Sequence, residues 1–229
     1  MLLITRYERN KIKGHSNIFM YFSFIIFFDK STIFTFYLVL FTFYLHLMYR
    51  ISKIIFSFLG WRIIGDNDFP NKCVLIAVPH TSNWDFFYAR LYSYIIKIQP
   101  KYLAKKELFV PLISYLIKLN GGIPVDRSKK NKLVDFLSNK IMDSKTIILS
   151  LSPEGTRKKV DKWKTGFYYI AQKANVPIVI VGINYKKKEI GIIDKLSTTN
   201  NIENDMKRIQ EKLTNISGKI EKNFNPIIY

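Results

Sequence analysis

Cys73-Val74-Leu75-Ile76-Ala77-Val78-Pro79-His80-Thr81-Ser82-Asn83-Trp84-Asp85-Phe86 is the stretch on which the reading of the chain turns. The apolar run from Cys73 to Val78 predicts a buried strand. Pro79 ends it, and His80 follows where a strand delivers a side chain to the rim of a sheet. Ser82 or Asn83 can cap a helix that begins near Trp84. On a continuous helix, at ~100° per residue, His80 and Asp85 would stand about 140° apart. They meet only across a turn, and Pro79 before with cap residues after predict one. An imidazole beside a carboxylate has its tautomer fixed and its basicity raised, as a general base acting on an alcohol requires. The same spacing also describes a turn histidine next to a capping carboxylate. The pair therefore takes its weight from what lies downstream.

Outward from this stretch, apolar runs alternate with helical patterns. Phe86 to Ile98 predicts a helix, Tyr102-Leu103-Ala104 a short strand and Pro111 to Leu119 a second helix. Ile123 to Val125 is a strand end, Leu133 to Met142 an amphipathic helix, and Thr146 to Leu151 a continuous buried strand. Gly166 to Ala174 predicts a helix, Pro177 to Ile183 another strong strand, and residues 195–223 a polar, partly helical end. Alternation at this spacing implies an α/β domain, layered, with a mainly parallel central sheet flanked by helices.

The chain has 229 residues, room for one domain and an N-terminal appendage. Its 36 Lys and Arg against 17 Asp and Glu give a formal charge of +19, which calls for a polyanionic partner. With 48% hydrophobic and 15% aromatic residues, that partner reads as an anionic membrane surface. Cys73, the single cysteine, excludes an intrachain disulfide framework and sits where core residues sit.

Ahead of the domain, residues 18–28 are apolar, Asp29-Lys30 interrupts, and Ser31 to Tyr49 is nearly free of charge. The second run has about the length needed to cross a hydrocarbon core. One spanning helix, a hairpin broken at Asp29-Lys30, and an interfacial anchor all fit. Residues 1–49 are thus expected to be an N-terminal apolar membrane segment of helices, and 50–229 the catalytic domain. Met48 is also a plausible start, which would leave residues 1–47 as an upstream extension. Ile51, Ile54, Ile55, Phe58 and Leu59 repeat at helical spacing, and Gly60 or Gly65 would end that helix. The heavier basic load after the apolar segment places the catalytic domain on the cytoplasmic face.

Each strong strand is followed by a polar turn: His80 to Asp85, Asp126-Arg127-Ser128, and Ser152-Pro153-Glu154-Gly155-Thr156-Arg157. In open α/β sheets, ligands sit outside the carboxyl ends of the strands. Three such turns on one rim would gather a base, an acid-bearing turn and two arginines. Arg127 and Arg157 have the forked geometry that suits a phosphate, and Lys158, Lys159, Lys162 and Lys164 raise the local potential.

These residues resemble the glycerolipid acyltransferases of the lysophosphatidic-acid acyltransferase type. His80 and Asp85 match the family's His-x-x-x-x-Asp block, and Gly121 to Arg127 match its Gly-x-Ile-x-x-Asp-Arg-like block. Pro153-Glu154-Gly155-Thr156-Arg157 reproduces the third block in full, and Val176-Pro177-Ile178-Val179 matches the fourth, over roughly residues 60–185. The resemblance implies acyl transfer from acyl-CoA or acyl-carrier protein to a lysolipid hydroxyl, 1-acylglycerol-3-phosphate by default. His80 would take the hydroxyl proton and Asp85 would hold His80. Arg127 and Arg157 would bind acceptor phosphate, with Glu154, Gly155 and Thr156 completing the substrate-binding turn. The thioester is a co-substrate, and no further cofactor and no metal are implied. Pro79, Ser152 and Ile180 stand where the family often has Asn, Phe and Pro, and these departures leave the acceptor open.

Three rivals compete. A nucleic-acid-binding protein would explain the charge but not the apolar N-terminus, and nucleic acid is not the expected partner. A membrane scaffold without turnover would have no need of His80, Asp85, Glu154 and Arg157 together. A thioesterase would use water in place of the alcohol. No Gly-x-Ser-x-Gly elbow is present, so a covalent acyl-enzyme is not expected.

Overall fold

The computed structural model describes residues 30–126 and 132–229. The chain divides into two compact units, Met1–Leu47 and Met48–Tyr229. Helix α1 (Lys30–Phe58) is followed by strand β1 (Arg62–Ile64), β2 (Lys72–Val78), helix α2 (Asn83–Ile95) and β3 (Lys101–Lys105). Then come α3 (Ile113–Leu119), β4 (Gly122–Val125), α4 (Leu133–Asp143), β5 (Ile147–Leu151) and α5 (Gly166–Ala174). Strands β6 (Ile178–Asn184) and β7 (Glu189–Leu196) and helix α6 (Ile202–Lys212) complete the order.

The strands form one seven-stranded sheet in the order β1-β7-β6-β2-β5-β3-β4. Every adjacent pair is parallel except β6–β7, which is antiparallel. The α/β expectation of a mainly parallel sheet between helices holds. Two strands escape the sequence reading. β1 is three residues long, and β7 is interrupted by Gly191 and by Asp194-Lys195. Gly191 is needed where it stands, because a Cβ there would overlap the Ile64 carbonyl of neighbouring β1.

The central strands read as unbroken apolar runs because both faces are covered. Alternate residues of β2 enter two separate cores: Val74, Ile76 and Val78 on one face, Cys73 and Leu75 on the other. The first face is covered by α4, α5 and α6 through Leu137, Ile141, Phe167, Ala171, Met206 and Ile209. The second is covered by α2 and the end of α1 through Tyr88, Leu91, Tyr92 and Phe56. Each such side chain contributes about 1.5–3 kcal/mol on leaving water, so burial on two faces makes β2 a firm base from which to launch a turn.

Helix α1 merges what the sequence suggests as two helices, because no Gly or Pro separates Tyr49 from Ile51. Its segment Thr35–Phe58 is long and apolar enough to cross a membrane. The apolar run 18–28 and the break at Asp29 lie outside the described residues.

Candidate active site

Strand order sets the site. β2 lies between β6 and β5, with Val78 opposite Gly182 and Ile76 opposite Leu151. The segments leaving these three strands therefore emerge side by side, carrying His80, Tyr185 and Glu154.

The His80 turn is held by its own helix cap. Ser82 is the N-cap of α2 and its side chain accepts a bond from the Trp84 N–H at 3.3 Å. Asp85, the third helical residue, reaches back so that its Oδ2 accepts the N–H groups of Thr81 (2.6 Å) and Ser82 (2.7 Å). This reciprocal cap closes the turn that the five-residue spacing demands. His80 Nδ1 then lies 3.7 Å from Asp85 Oδ2. That is an electrostatic contact, longer than a hydrogen bond, because the two backbone donors already occupy Oδ2. Asp85 thus fills both roles that its spacing allowed, helix cap and histidine neighbour.

Asp85 has a further partner that its sequence neighbourhood does not reveal. Tyr185, just past β6, donates its hydroxyl to Asp85 Oδ1 at 2.6 Å. Its ring is fixed edge-on against Trp61 (5.2 Å between centroids) and Tyr88 (5.7 Å). Burial and the neighbouring Asp85 push the Tyr185 phenol far up, so it stays a donor. Behind it, the Tyr185 N–H donates to the Ser217 carbonyl (2.9 Å), and the Lys219 ammonium lies 5.8 Å from the rings of both Trp84 and Tyr185.

Glu154 is buried, with its carboxylate turned inward. Oε1 accepts the His80 backbone N–H (2.8 Å) and Oε2 accepts the Ser152 hydroxyl (2.9 Å). Burial raises its pKa, against the lowering effect of the His80 and Ser152 hydrogen bonds. Glu154 thus ties the β5 turn to the β2 turn, and its contacts are with protein rather than with open solvent. Gly155 makes the turn possible at φ +66°, where a Cβ would come within 2.6 Å of the Lys164 ammonium.

Thr156, Arg157, Lys158 and Lys164 are exposed along this turn. The Thr156 hydroxyl accepts the Lys158 N–H at 3.3 Å. The Arg157 charge reaches His80, whose pKa is lowered from 6.5 chiefly by burial, opposed by Asp85 and reinforced by Arg157. His80 thus favours its neutral form more than a free imidazole does, with Nδ1 on the side of Asp85. Asp126 directly follows β4, and Arg127 lies outside the described residues.

Cys73 is fully buried in β2, and burial drives its thiol up to about 12, so it is no nucleophile. Among the described residues, no cluster of three His, Cys, Asp or Glu side chains is arranged to hold a metal ion. Chemically, the site offers an imidazole beside the buried Asp85 carboxylate, on a backbone held by buried Glu154, next to a cationic turn.

The family model described as Acyltransferase matches residues 61–184. A curated relative, the 1-acyl-sn-glycerol-3-phosphate acyltransferase of Saccharomyces cerevisiae, is 27% identical over 144 residues, 59% of this chain. The match spans 46% of that relative, less than half its length. Among solved structures, the 1-acyl-sn-glycerophosphate (LPA) acyltransferase PlsC of Thermotoga maritima superimposes with a TM-score of 0.50. The superposition covers 72% of this chain and 76% of that one at 17% identity, and it supports the fold alone.

Proposed function

The chain belongs to the acyltransferase family, and from that premise we propose that it moves a fatty acyl group from an acyl thioester to a hydroxyl of a lysophospholipid-like acceptor. The observation that carries the proposal is the pairing of His80 with buried Asp85, Nδ1 lying 3.7 Å from Oδ2 at the rim of the sheet. In the reaction, Nε2 takes the proton of the acceptor hydroxyl as its oxygen bonds to the thioester carbon. The C–S bond breaks, and the proton on His80 passes to the departing thiolate. The acyl group goes directly to the acceptor, since Cys73 is buried and its thiol is held protonated.

Asp85 keeps the imidazole in the required tautomer and offsets the positive charge that develops on it. Arg157, together with Arg127, holds the acceptor phosphate, and Gly155 and Thr156 let the ligand approach the backbone. Glu154, read from the sequence as substrate-binding, serves here by fixing the backbone of His80. The acceptor named for the relatives, 1-acylglycerol-3-phosphate, is the first candidate. The donor is acyl-CoA or acyl-carrier protein. We read residues 1–49 as the membrane segment and place the domain 50–229 on the cytoplasmic face, supported by the apolar helix α1 and the basic load that follows it.

The test is product identification. Full-length protein in vesicles is offered labelled acyl-CoA or acyl-carrier protein with a panel of lysolipids, and products are identified by mass. Phosphatidate formed from 1-acylglycerol-3-phosphate supports the reading. A different acylated lipid would reassign the acceptor, and fatty acid release indifferent to added acceptor would make the protein a thioesterase.

A further inference from the structure

Helix α3 is inside out. Leu112, Tyr115, Leu116 and Leu119 recur at the spacing that builds one apolar helix face, a face normally turned to the core. Here they are 87%, 70%, 63% and 45% exposed. The opposite side, at Ile117, is the one that packs inward, onto Gly122 at the start of β4. Leu108, Val110 and Ile113 are exposed as well and extend the apolar surface through the turn before the helix. Singly exposed apolar residues are ordinary, but a contiguous patch of this kind marks a surface that meets a partner.

The turn carries its own strain. The Ile113 N–H donates to the Pro111 carbonyl at 2.9 Å, closing a three-residue turn around Leu112 at φ 68°, ψ −57°. That is the left-handed γ-turn conformation, rare for a residue with a side chain. It thrusts a leucine outward at the tip of the segment. A leucine held this far out of the protein is costly in water, and entry into an apolar phase offsets the cost of its exposure.

Charge indicates which apolar phase. Lys101 to Asn120 contains four lysines and one acidic residue, Glu107. Lys105 and Lys106 precede the patch and Lys118 stands near its end, all exposed. Aliphatic tips framed by ammonium groups suit an anionic bilayer, with methyl groups at the acyl boundary and lysines at phosphate depth. Tyr115 apart, the patch is built of Leu, Ile and Val, whereas a protein partner is more typically met by Trp, Tyr and Arg anchors.

We propose that Lys105–Leu119 is a membrane-docking element within the catalytic unit, with Leu112 and Leu116 entering the acyl–headgroup boundary of an anionic bilayer and Lys105, Lys106 and Lys118 pairing with lipid phosphates. It is a second attachment, distinct from helix α1, and holds whatever reaction the site performs. Its location is apt. The segment leaves the carboxyl end of β3, on the same sheet edge as the His80 turn, and β3 is two strands from β2, about 10 Å away. Docking there sets the site against the layer in which a lysolipid lies.

Depth measurement tests this without reference to turnover. Leu112→Cys, and Leu116→Cys in parallel, are made in the full chain and labelled with a polarity-sensitive fluorophore. Buried Cys73 stays unlabelled, as wild-type protein will verify. Glu203→Cys on α6 is the reference for a solvent-facing site. The proteins are incorporated in vesicles of phosphatidylcholine and phosphatidylglycerol that carry nitroxides on the acyl chains. Both α3 probes should be quenched several-fold more than the reference and protected from aqueous iodide. Iodide quenching equal to the reference in membrane-bound protein would overturn the proposal. So would shielding from both quenchers, which would mean that another protein surface covers the patch.

Discussion

Replacing Tyr185 by Phe isolates one hydrogen bond at the centre of the site. The ring contacts Trp61 and Tyr88 through its faces and edges. Phe therefore keeps the packing and removes only the hydroxyl that donates to Asp85 Oδ1 at 2.6 Å. Asp85 is buried, so no water replaces the lost donor. A hydrogen bond to a charged group is worth about 1.5–3 kcal/mol, and an unpaired buried acceptor costs the protein a similar amount. The expected loss is about 2 kcal/mol, which for a unit of this size lowers Tm by roughly 4–8 °C. Asp85 keeps its two backbone donors, so the His80 turn stays closed while the carboxylate loses its third restraint. Acyl transfer should fall by about ten-fold, the equivalent of 1.4 kcal/mol in the barrier. The assays are thermal unfolding and initial rates of lipid formation, with Tyr185→Ala as a harsher companion that also removes the ring. Unchanged Tm and unchanged rate in Tyr185→Phe would refute the claim that this bond positions Asp85.

Other consequences follow from the same geometry. Because burial and Arg157 lower the His80 pKa, and the neutral imidazole is the reactive form, activity should rise with pH to half its plateau below pH 6.5. Asp85 raises that pKa, so the residual activity of Asp85→Asn should show its acid limb at still lower pH. Gly155→Ala forces a side chain to φ +66° and onto Lys164, and should cost about 1–2 kcal/mol in denaturant unfolding. Cys73, fully buried with its thiol raised to about 12, should resist thiol reagents in native protein and react in denaturant.

The legible parts of the fold are those that side-chain type alone determines. β2, β5 and β6 announce themselves because they lie inside the sheet under helices, which leaves few polar positions, Ser150 among them, to blur the run. β7 does not, since Gly191 serves its neighbour β1 and Asp194-Lys195 reach its half-buried end. The His80, Asp85 and Glu154 turns are legible because each directly follows such a strand. Tyr185 is not, although Asn184-Tyr185 follows the β6 run just as His80 follows β2. Its meaning depends on β6 lying beside β2, and strand order is a tertiary fact. The direction of the Glu154 carboxylate is hidden for the same reason, because the His80 N–H it accepts comes from the adjacent strand's turn. The helix expected from Pro111 to Leu119 is present as α3, but that its apolar residues Leu112, Tyr115 and Leu116 lie exposed is a tertiary fact.

The central claim is that His80 takes the proton of the acceptor hydroxyl. The most direct measurement compares wild type and His80→Ala, at matched folding and membrane incorporation, for initial rates of acylated lipid formation from a labelled thioester. General-base catalysis of this kind is worth about 10²–10⁴-fold, and the mutant should lose at least the lower part of that range with its unfolding transition preserved. A folded His80→Ala protein that forms the same lipid at close to the wild-type rate would contradict the account.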